Sequence, residues 1–269
     1  MLRSRSVKVR IDKLLVERGL VGTRERAQAM ILAGKVMVNE QKIEKAGTSV
    51  ADDAVIRLLG EDLRYVSRGG LKLEKALEHW HIDVRGRTCM DIGTSTGGFT
   101  DCLLQHGAAQ VIAVDTGFGQ VDMKLRNDSR VHLLERTNAR YLKREDVASV
   151  TASSISVIVM DVSFISATLV LPAVISAAAF DEPHDAQRDL VVLIKPQFEV
   201  GREHVGKGGI VRSAEAQQAA AEKVRGAVEL LGGRDIDVID SPILGTEGNK
   251  EFLLHAVFPG TIEARSTLS

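Results

Sequence analysis

Four charged residues in this sequence stand at the same kind of place, where an apolar run stops. "TCMDIGT" carries Asp91, "QVIAVDTG" ends on Asp115, "SISVIVMDVSF" reaches Asp161, and "DLVVLIK" delivers Lys195. An ammonium buried without a partner costs several kcal/mol, roughly, so a lysine at the end of a core strand needs a carboxylate or water beside it. One such lysine marks a strand reaching solvent. Four strand-end charges in succession put three carboxylates and an amine along one edge, a set suited to proton transfer and to gripping hydroxyl groups. Asp115 follows Asp91 by 24 residues, the spacing at which a carboxylate takes ribose hydroxyls in nucleotide-binding sheets. Between them lies "DIGTSTGGFT". Ser95 occupies the second glycine position of G-x-G-x-x-G, so the dinucleotide fingerprint is not met.

The elements that must position these residues follow from periodicity. From Val84 onward, short apolar runs alternate with helical patterns: a helix through Leu103-Leu104, one through "ATLVLPAVISAAAF", and a long one over "AEAQQAAAEKVRGAVELLG". Such alternation predicts an α/β fold with a doubly wound, mostly parallel sheet whose ligands sit outside the carboxyl ends of the strands. The final runs, "DIDVIDSPI" and "EFLLHAVF", are joined by the short turn "LGTEGNK" and predict a hairpin, so the sheet is mixed.

The first 50 residues differ in character. They hold eleven Lys/Arg and five Asp/Glu, a net of +6, against -7 for the remainder. A basic head on an acidic body suits a polyanionic partner. Ile11, Leu14, Leu15 and Leu20 form a helical stripe, Thr23 can cap a second helix, and "KVMVNEQKI" switches to strand alternation around an Asn39-Glu40 turn. "DAVIRLL" predicts one more strand. Cys89 and Cys102 fit no metal spacing and suit a reducing cytosol, and the seven histidines show no ligand pattern, so no metal is expected. No signal peptide is read in "MLRSRSVKVR", and the longest apolar stretch is too short to span a bilayer. A cytoplasmic, soluble chain is expected.

The head resembles the S4 RNA-binding domain through Arg10-Ile11-Asp12 with Leu14-Leu15, "TRERAQAMILAGKV" and "VMVNEQKI". That resemblance implies a small α+β module presenting Arg10, Lys13, Arg24, Arg26 and Lys35 to RNA phosphates. The loop after Asp91 resembles the first motif of S-adenosylmethionine-dependent methyltransferases. The chain as a whole, through "SRGGLKLEKAL", "DIGTSTGGFTDCLLQ", "AVDTGFGQ", "ERTNAR", "DVSFIS", "IKPQFEVGRE", "GKGGIVR" and "GNKEF", resembles the TlyA family, in which an S4 domain precedes an FtsJ-like ribosomal RNA ribose 2′-O-methyltransferase. It implies an S4 domain at 1–60, a linker and helix at 61–82, and a Rossmann-like class I methyltransferase domain with a mixed seven-stranded sheet at 83–269. FtsJ-like enzymes use a Lys-Asp-Lys-Glu tetrad, here Lys72, Asp161, Lys195 and Glu251, with Lys75 one helical turn away as the alternative to Lys72. The implied S-adenosylmethionine contacts are Asp91, Gly93, Thr94, Ser95, Gly97, Gly98, Phe99, Asp115, Asn138 and Asp161. Arg68 joins the RNA-binding set. Ribosomal RNA or ribosomal subunits are the implied partner, with neither DNA nor membrane.

Three rivals predict other features. A membrane-lytic protein, as members' common haemolysin label suggests, needs an amphipathic or spanning segment. An RNA-binding protein with an inactive body would not need Asp91, the glycine loop and the tetrad together. A pseudouridine synthase would carry a Gly-Arg-Leu-Asp segment, which this sequence lacks. The basic, glycine-rich stretch "GREHVGKGGIVR" is read as either a substrate loop or a plain connector.

Overall fold

The computed structural model describes residues 8–59, 64–180, 182, 186–245 and 248–258. Packing divides the chain into two units, Met1–Leu63 and Arg64–Ser269. The boundary expected at residues 60/61 lies outside the described residues, as do Thr246 and Glu247 of the final turn.

In the head, β1 (Lys8–Arg10) leads into α1 (Ile11–Glu17), and α2 (Arg24–Leu32) starts where the Thr23 hydroxyl accepts the Arg26 N–H. β2 (Val36–Val38) and β3 (Gln41–Ile43) form a hairpin through Asn39 and Glu40, both at positive φ. β4 (Ser49–Ala51) pairs with β1, and β5 (Ile56–Leu58) joins the far edge of β2. The β1–β4 pair was not expected; three-residue strands are too short to show alternation. The core is Ile11, Leu15, Ala27, Ile31 and Val36, each fully buried.

The body begins with α3 (Gly69–His79), followed by β6 (Thr88–Ile92), α4 (Gly98–Gln105), β7 (Gln110–Val114), α5 (Met123–Arg126) and β8 (Val131–Leu134). After α6 (Arg144–Ala148) come β9 (Val157–Met160), α7 (Ala167–Ala177), β10 (Arg188–Ile194), α8 (Pro196–Glu199), α9 (Ala214–Leu230), β11 (Arg234–Asp240) and β12 (Phe252–Phe258). The seven strands run in the order β11-β12-β10-β9-β6-β7-β8, parallel from β10 to β8, with β12 antiparallel to both β10 and β11. This is the predicted mixed, doubly wound sheet. The chain steps outward from β6 to β8 and returns to place β9 on the other side of β6, so the switch in winding direction falls between β6 and β9.

Strand alternation sorts the side chains onto two faces. Met90, Ile92, Ile158 and Met160 pack with α7 and α9 on one face. Cys89, Val157, Val159, Val191, Leu193 and Leu253 pack with Leu73, Leu77 and Leu103 of α3 and α4 on the other.

Candidate active site

The same alternation explains how distant residues meet. Asp91 continues the parity of Cys89, Asp161 that of Val157 and Val159, Lys195 that of Val191 and Leu193, and Glu251 that of Leu253. All four therefore belong to the face covered by α3 and α4. On α3, Lys72, Leu73, Ala76 and Leu77 are buried and form one helical stripe, which directs Lys72 inward, while Lys75 is exposed.

Two lysine–carboxylate pairs result, lining one cavity of about 310 Å³. The Lys72 ammonium lies 2.5 Å from Glu251 Oε2, with both side chains nearly buried. The Lys195 ammonium lies 2.6 Å from Asp161 Oδ1 and donates to the Ser163 hydroxyl at 2.7 Å. Arg68, Gly69, Thr94, Gly98 and Phe99 line the same cavity, so Arg68 stands at this site in the body. Lys75 does not line it.

A second cavity of about 330 Å³ adjoins the first, and Gly93, Ser95, Asp161 and Ser163 line both. Asp115 is held there by two backbone donors, Ser95 N–H to Oδ2 at 2.7 Å and Gly117 N–H to Oδ1 at 2.6 Å. Val114, Ile165 and Val170 supply apolar wall, and Asn138, whose side chain also caps the turn at Arg140, stands at the same cavity.

Asp91 and Gly97, expected among the cofactor contacts, line neither cavity. Asp91 is 0% exposed beneath the glycine loop, where Thr100 Oγ1 donates to its Oδ2 at 2.6 Å and its Oδ1 has no hydrogen-bond partner. Burial is the main cause that pushes this carboxyl up to about 7, and the nearby Asp161 and Asp115 charges add to it against the Thr100 hydrogen bond. Gly97, at φ 99°, makes the left-handed turn into α4, and a Cβ there would overlap Leu125. Thr94 lines the first cavity, yet its hydroxyl turns back to the Asp91 carbonyl. Gly98 brings the start of α4 against Gly69 and Gly70 of α3; any side chain there would strike Ser67.

In the head, the implied RNA-binding residues divide in two. Arg10 (through Nε and Nη2) and Arg24 (through Nε) converge on the fully buried Asp12, which also accepts from Gln28. Both guanidiniums stay about half exposed. Lys13 pairs with Glu17 along α1, while Arg26 and Lys35 are partly exposed.

Sequence reasoning passed over three residues at or beside the site. Ser163 stands two positions past Asp161 in a loop without periodicity. Asn249, 1% exposed and two positions before Glu251, accepts from Val211 N–H and donates to the Gly209 carbonyl, pinning the loop from Gly201 to Arg212. Glu199 on α8 caps the start of α7 through Ala167 N–H and Ser166 and pairs with Lys223. The quoted "GNKEF" and "DVSFIS" segments contain the first two, but only packing gives them partners. Among the described residues no cluster of His, Cys, Asp and Glu suits a metal ion, and no helix is long and apolar enough to cross a membrane.

Comparison with known proteins covers both units. Residues 65–258 match the FtsJ-like methyltransferase family and residues 9–56 match the S4 domain. YqxC of Bacillus subtilis is 46% identical over 255 residues, covering 95% of this chain and 88% of its own. The 16S/23S rRNA (cytidine-2′-O)-methyltransferase TlyA of Mycobacterium tuberculosis is 42% identical, covering 92% of this chain and 89% of its own. A solved structure of a candidate hemolysin from Streptococcus thermophilus superposes with a TM-score of 0.68 at 42% identity, over 94% of this chain and 89% of that one.

Proposed function

The chain belongs to the FtsJ-like methyltransferase family, and from that membership we propose that it methylates a ribose 2′-oxygen of ribosomal RNA, with S-adenosylmethionine as the methyl donor. The observation that carries this reading is the pair of lysine–carboxylate couples on one cavity that opens into a second cavity suited to a nucleoside. Val114, Ile165 and Val170 offer apolar wall to a base, and Asp115, oriented by two N–H groups, is set to accept from ribose hydroxyls. Asn138 and the loop from Gly93 to Phe99 complete the proposed donor site, with Asp91 supporting that loop from below. S-adenosylmethionine, when bound, supplies a methyl group already activated by its sulfonium.

A ribose 2′-hydroxyl is a weak acid and a poor nucleophile. As its oxygen bonds to the methyl carbon and the carbon–sulfur bond breaks, its proton has to leave. Lys195, after giving up its own proton to solvent, takes that proton as a neutral amine, and Asp161 stabilises the ammonium that results. Lys72 and Glu251 line the same cavity and keep each other's charge compensated where water is scarce. The head supplies phosphate contacts through Arg10, Lys13, Arg24, Arg26 and Lys35, and Arg68 adds one at the cavity. A ribosomal substrate places this work in the cytoplasm.

The test is methyl transfer from labelled S-adenosylmethionine to ribosomal subunits that lack the modification. The expected product resists alkaline cleavage at the labelled nucleotide, because the methyl blocks the 2′-oxygen. Label on a base, with the ribose still alkali-labile, would overturn the assignment.

A further inference from the structure

We propose that Ser163 is a positioning residue: it fixes the Lys195 amine against Asp161 and so leaves one direction on that nitrogen for the attacking ribose oxygen. The inference rests on the methyl-transfer reading above. As the neutral amine that accepts the proton, Lys195 has two N–H groups and one lone pair in tetrahedral array. One side of the nitrogen faces Asp161 Oδ1 at 2.6 Å, and one N–H goes to Ser163 Oγ at 2.7 Å. The paired carboxylate and the accepting hydroxyl belong to the short segment that follows β9, so both hold the amine from the same strand end. The Lys195 side chain is 12% exposed and lines the first cavity, so the remaining direction opens there. A single carboxylate partner would let the amine swing about one oxygen. The directional hydrogen bond to the Ser163 hydroxyl, two residues along, removes that freedom.

Phe164 follows Ser163 at φ 65°, a left-handed conformation, and is 92% exposed. Its ring lies 5.4 Å from that of Phe198 on α8, three residues past Lys195. The loops after β9 and β10 therefore meet at the amine, and again at the surface where the two rings touch. Ser163 is also one of the four residues shared by the two cavities, where the oxygen and the methyl group must meet. A serine hydroxyl accepts the lysine N–H and keeps a proton of its own to donate, which neither alanine nor a second carboxylate reproduces.

The experiment compares Ser163→Ala and Ser163→Thr in the full chain. Donor affinity is measured by calorimetry, and kcat and KM with unmodified ribosomal subunits. The Lys195 ammonium resonance is followed by NMR and identified by its absence in Lys195→Arg. Ser163→Ala is expected to lower kcat between about tenfold and a hundredfold, the range for losing a hydrogen bond to a charged group. KM and donor affinity should stay within about twofold, the Lys195 resonance should broaden through faster exchange, and Ser163→Thr should restore both. A normal kcat with an intact resonance in Ser163→Ala overturns the proposal. So does a loss of donor affinity that matches the loss of rate, which would make Ser163 a donor contact, and so does a Ser163→Thr variant that behaves like alanine. If the wild-type chain places no methyl on ribose, the reaction reading falls, and the resonance alone still decides whether Ser163 holds Lys195.

Discussion

Asp12 in the head and Asp91 in the body are both 0% exposed, yet their surroundings push them in opposite directions. Arg10, Arg24 and Gln28 converge on Asp12, and the hydrogen bonds from Arg10 lead the effects that hold its carboxyl well below the usual carboxylate range. Among the described residues Asp91 has one hydroxyl partner and no cation, and burial pushes it up to about 7. Burial sets the cost of a charge, and the partners decide whether the charge survives. The head uses its buried carboxylate as a fixed post that orients two half-exposed guanidiniums, an arrangement that suits the phosphate contacts proposed for them. The body places its cations inside a cavity, where their protons can take part in a reaction, and leaves Asp91 able to change charge near neutral pH.

The contrast between gripping and reacting cations breaks first at Lys195. Lys195→Ala should lower methyl transfer by roughly a thousandfold or more while donor and RNA affinity persist. Lys195→Arg should fail as well, since a guanidinium does not release its proton at working pH; a wild-type rate in that variant would make Lys195 another gripping cation.

The aspartates themselves come next. Asp91 has a folded value of about 7 against an ordinary 3.8, so its stabilising contribution is complete below the ordinary value and is lost as pH rises from there through 7. The full effect is as much as about 4 kcal/mol, at 1.36 kcal/mol per unit. Asp91→Asn should flatten that loss in denaturant titrations taken across pH 4 to 8. Asp12, being depressed, runs the other way: its contribution is present above the ordinary carboxylate value and is lost as pH falls below it. A change of the same sign in the pH slope for Asp91→Asn and for Asp12→Asn would dissolve the comparison.

Smaller effects sharpen it. Lys72→Ala orphans Glu251, 3% exposed, and should cost about 3 kcal/mol of stability together with most activity. Lys75→Ala should change unfolding by less than about 0.5 kcal/mol. Asp12→Ala should cost the head about 2 kcal/mol and weaken RNA binding with donor affinity unchanged. Arg26→Glu should reduce the salt slope of RNA binding by about one unit per lost contact, with donor affinity again unchanged.

The strand-end charges were legible because apolar runs announce where strands stop, and the order of runs announces the sheet. Position along a strand says which edge a residue reaches, but not which cavity it enters. Asp91 shows the gap: it shares the face of Asp161, but inside β6 it pairs with Val159, two residues short of the edge that Asp161 reaches, and lies beneath α4 away from both cavities. The inward direction of Lys72 emerges once Leu73, Ala76 and Leu77 have a sheet to pack on. Ser163 and Asn249 are polar residues in loops, and their partners lie 32 and 38 residues away at their nearest, beyond any local pattern. The Asp12 hub exists only after α1 and α2 have packed, so the sequence offers Arg10 and Arg24 as candidate phosphate contacts without showing that they share one carboxylate.

The Lys72–Glu251 pair joins residues 179 positions apart, and Glu251 immediately precedes β12, which inserts between β10 and β11. A ribosome adding about 5–20 residues per second completes most of the sheet well before that strand emerges. Until it does, the Lys72 wall lacks its counter-charge and the cavity has one side open. The cavity is thus completed only once β12 has been made, and a chain that lacks this strand holds no finished site.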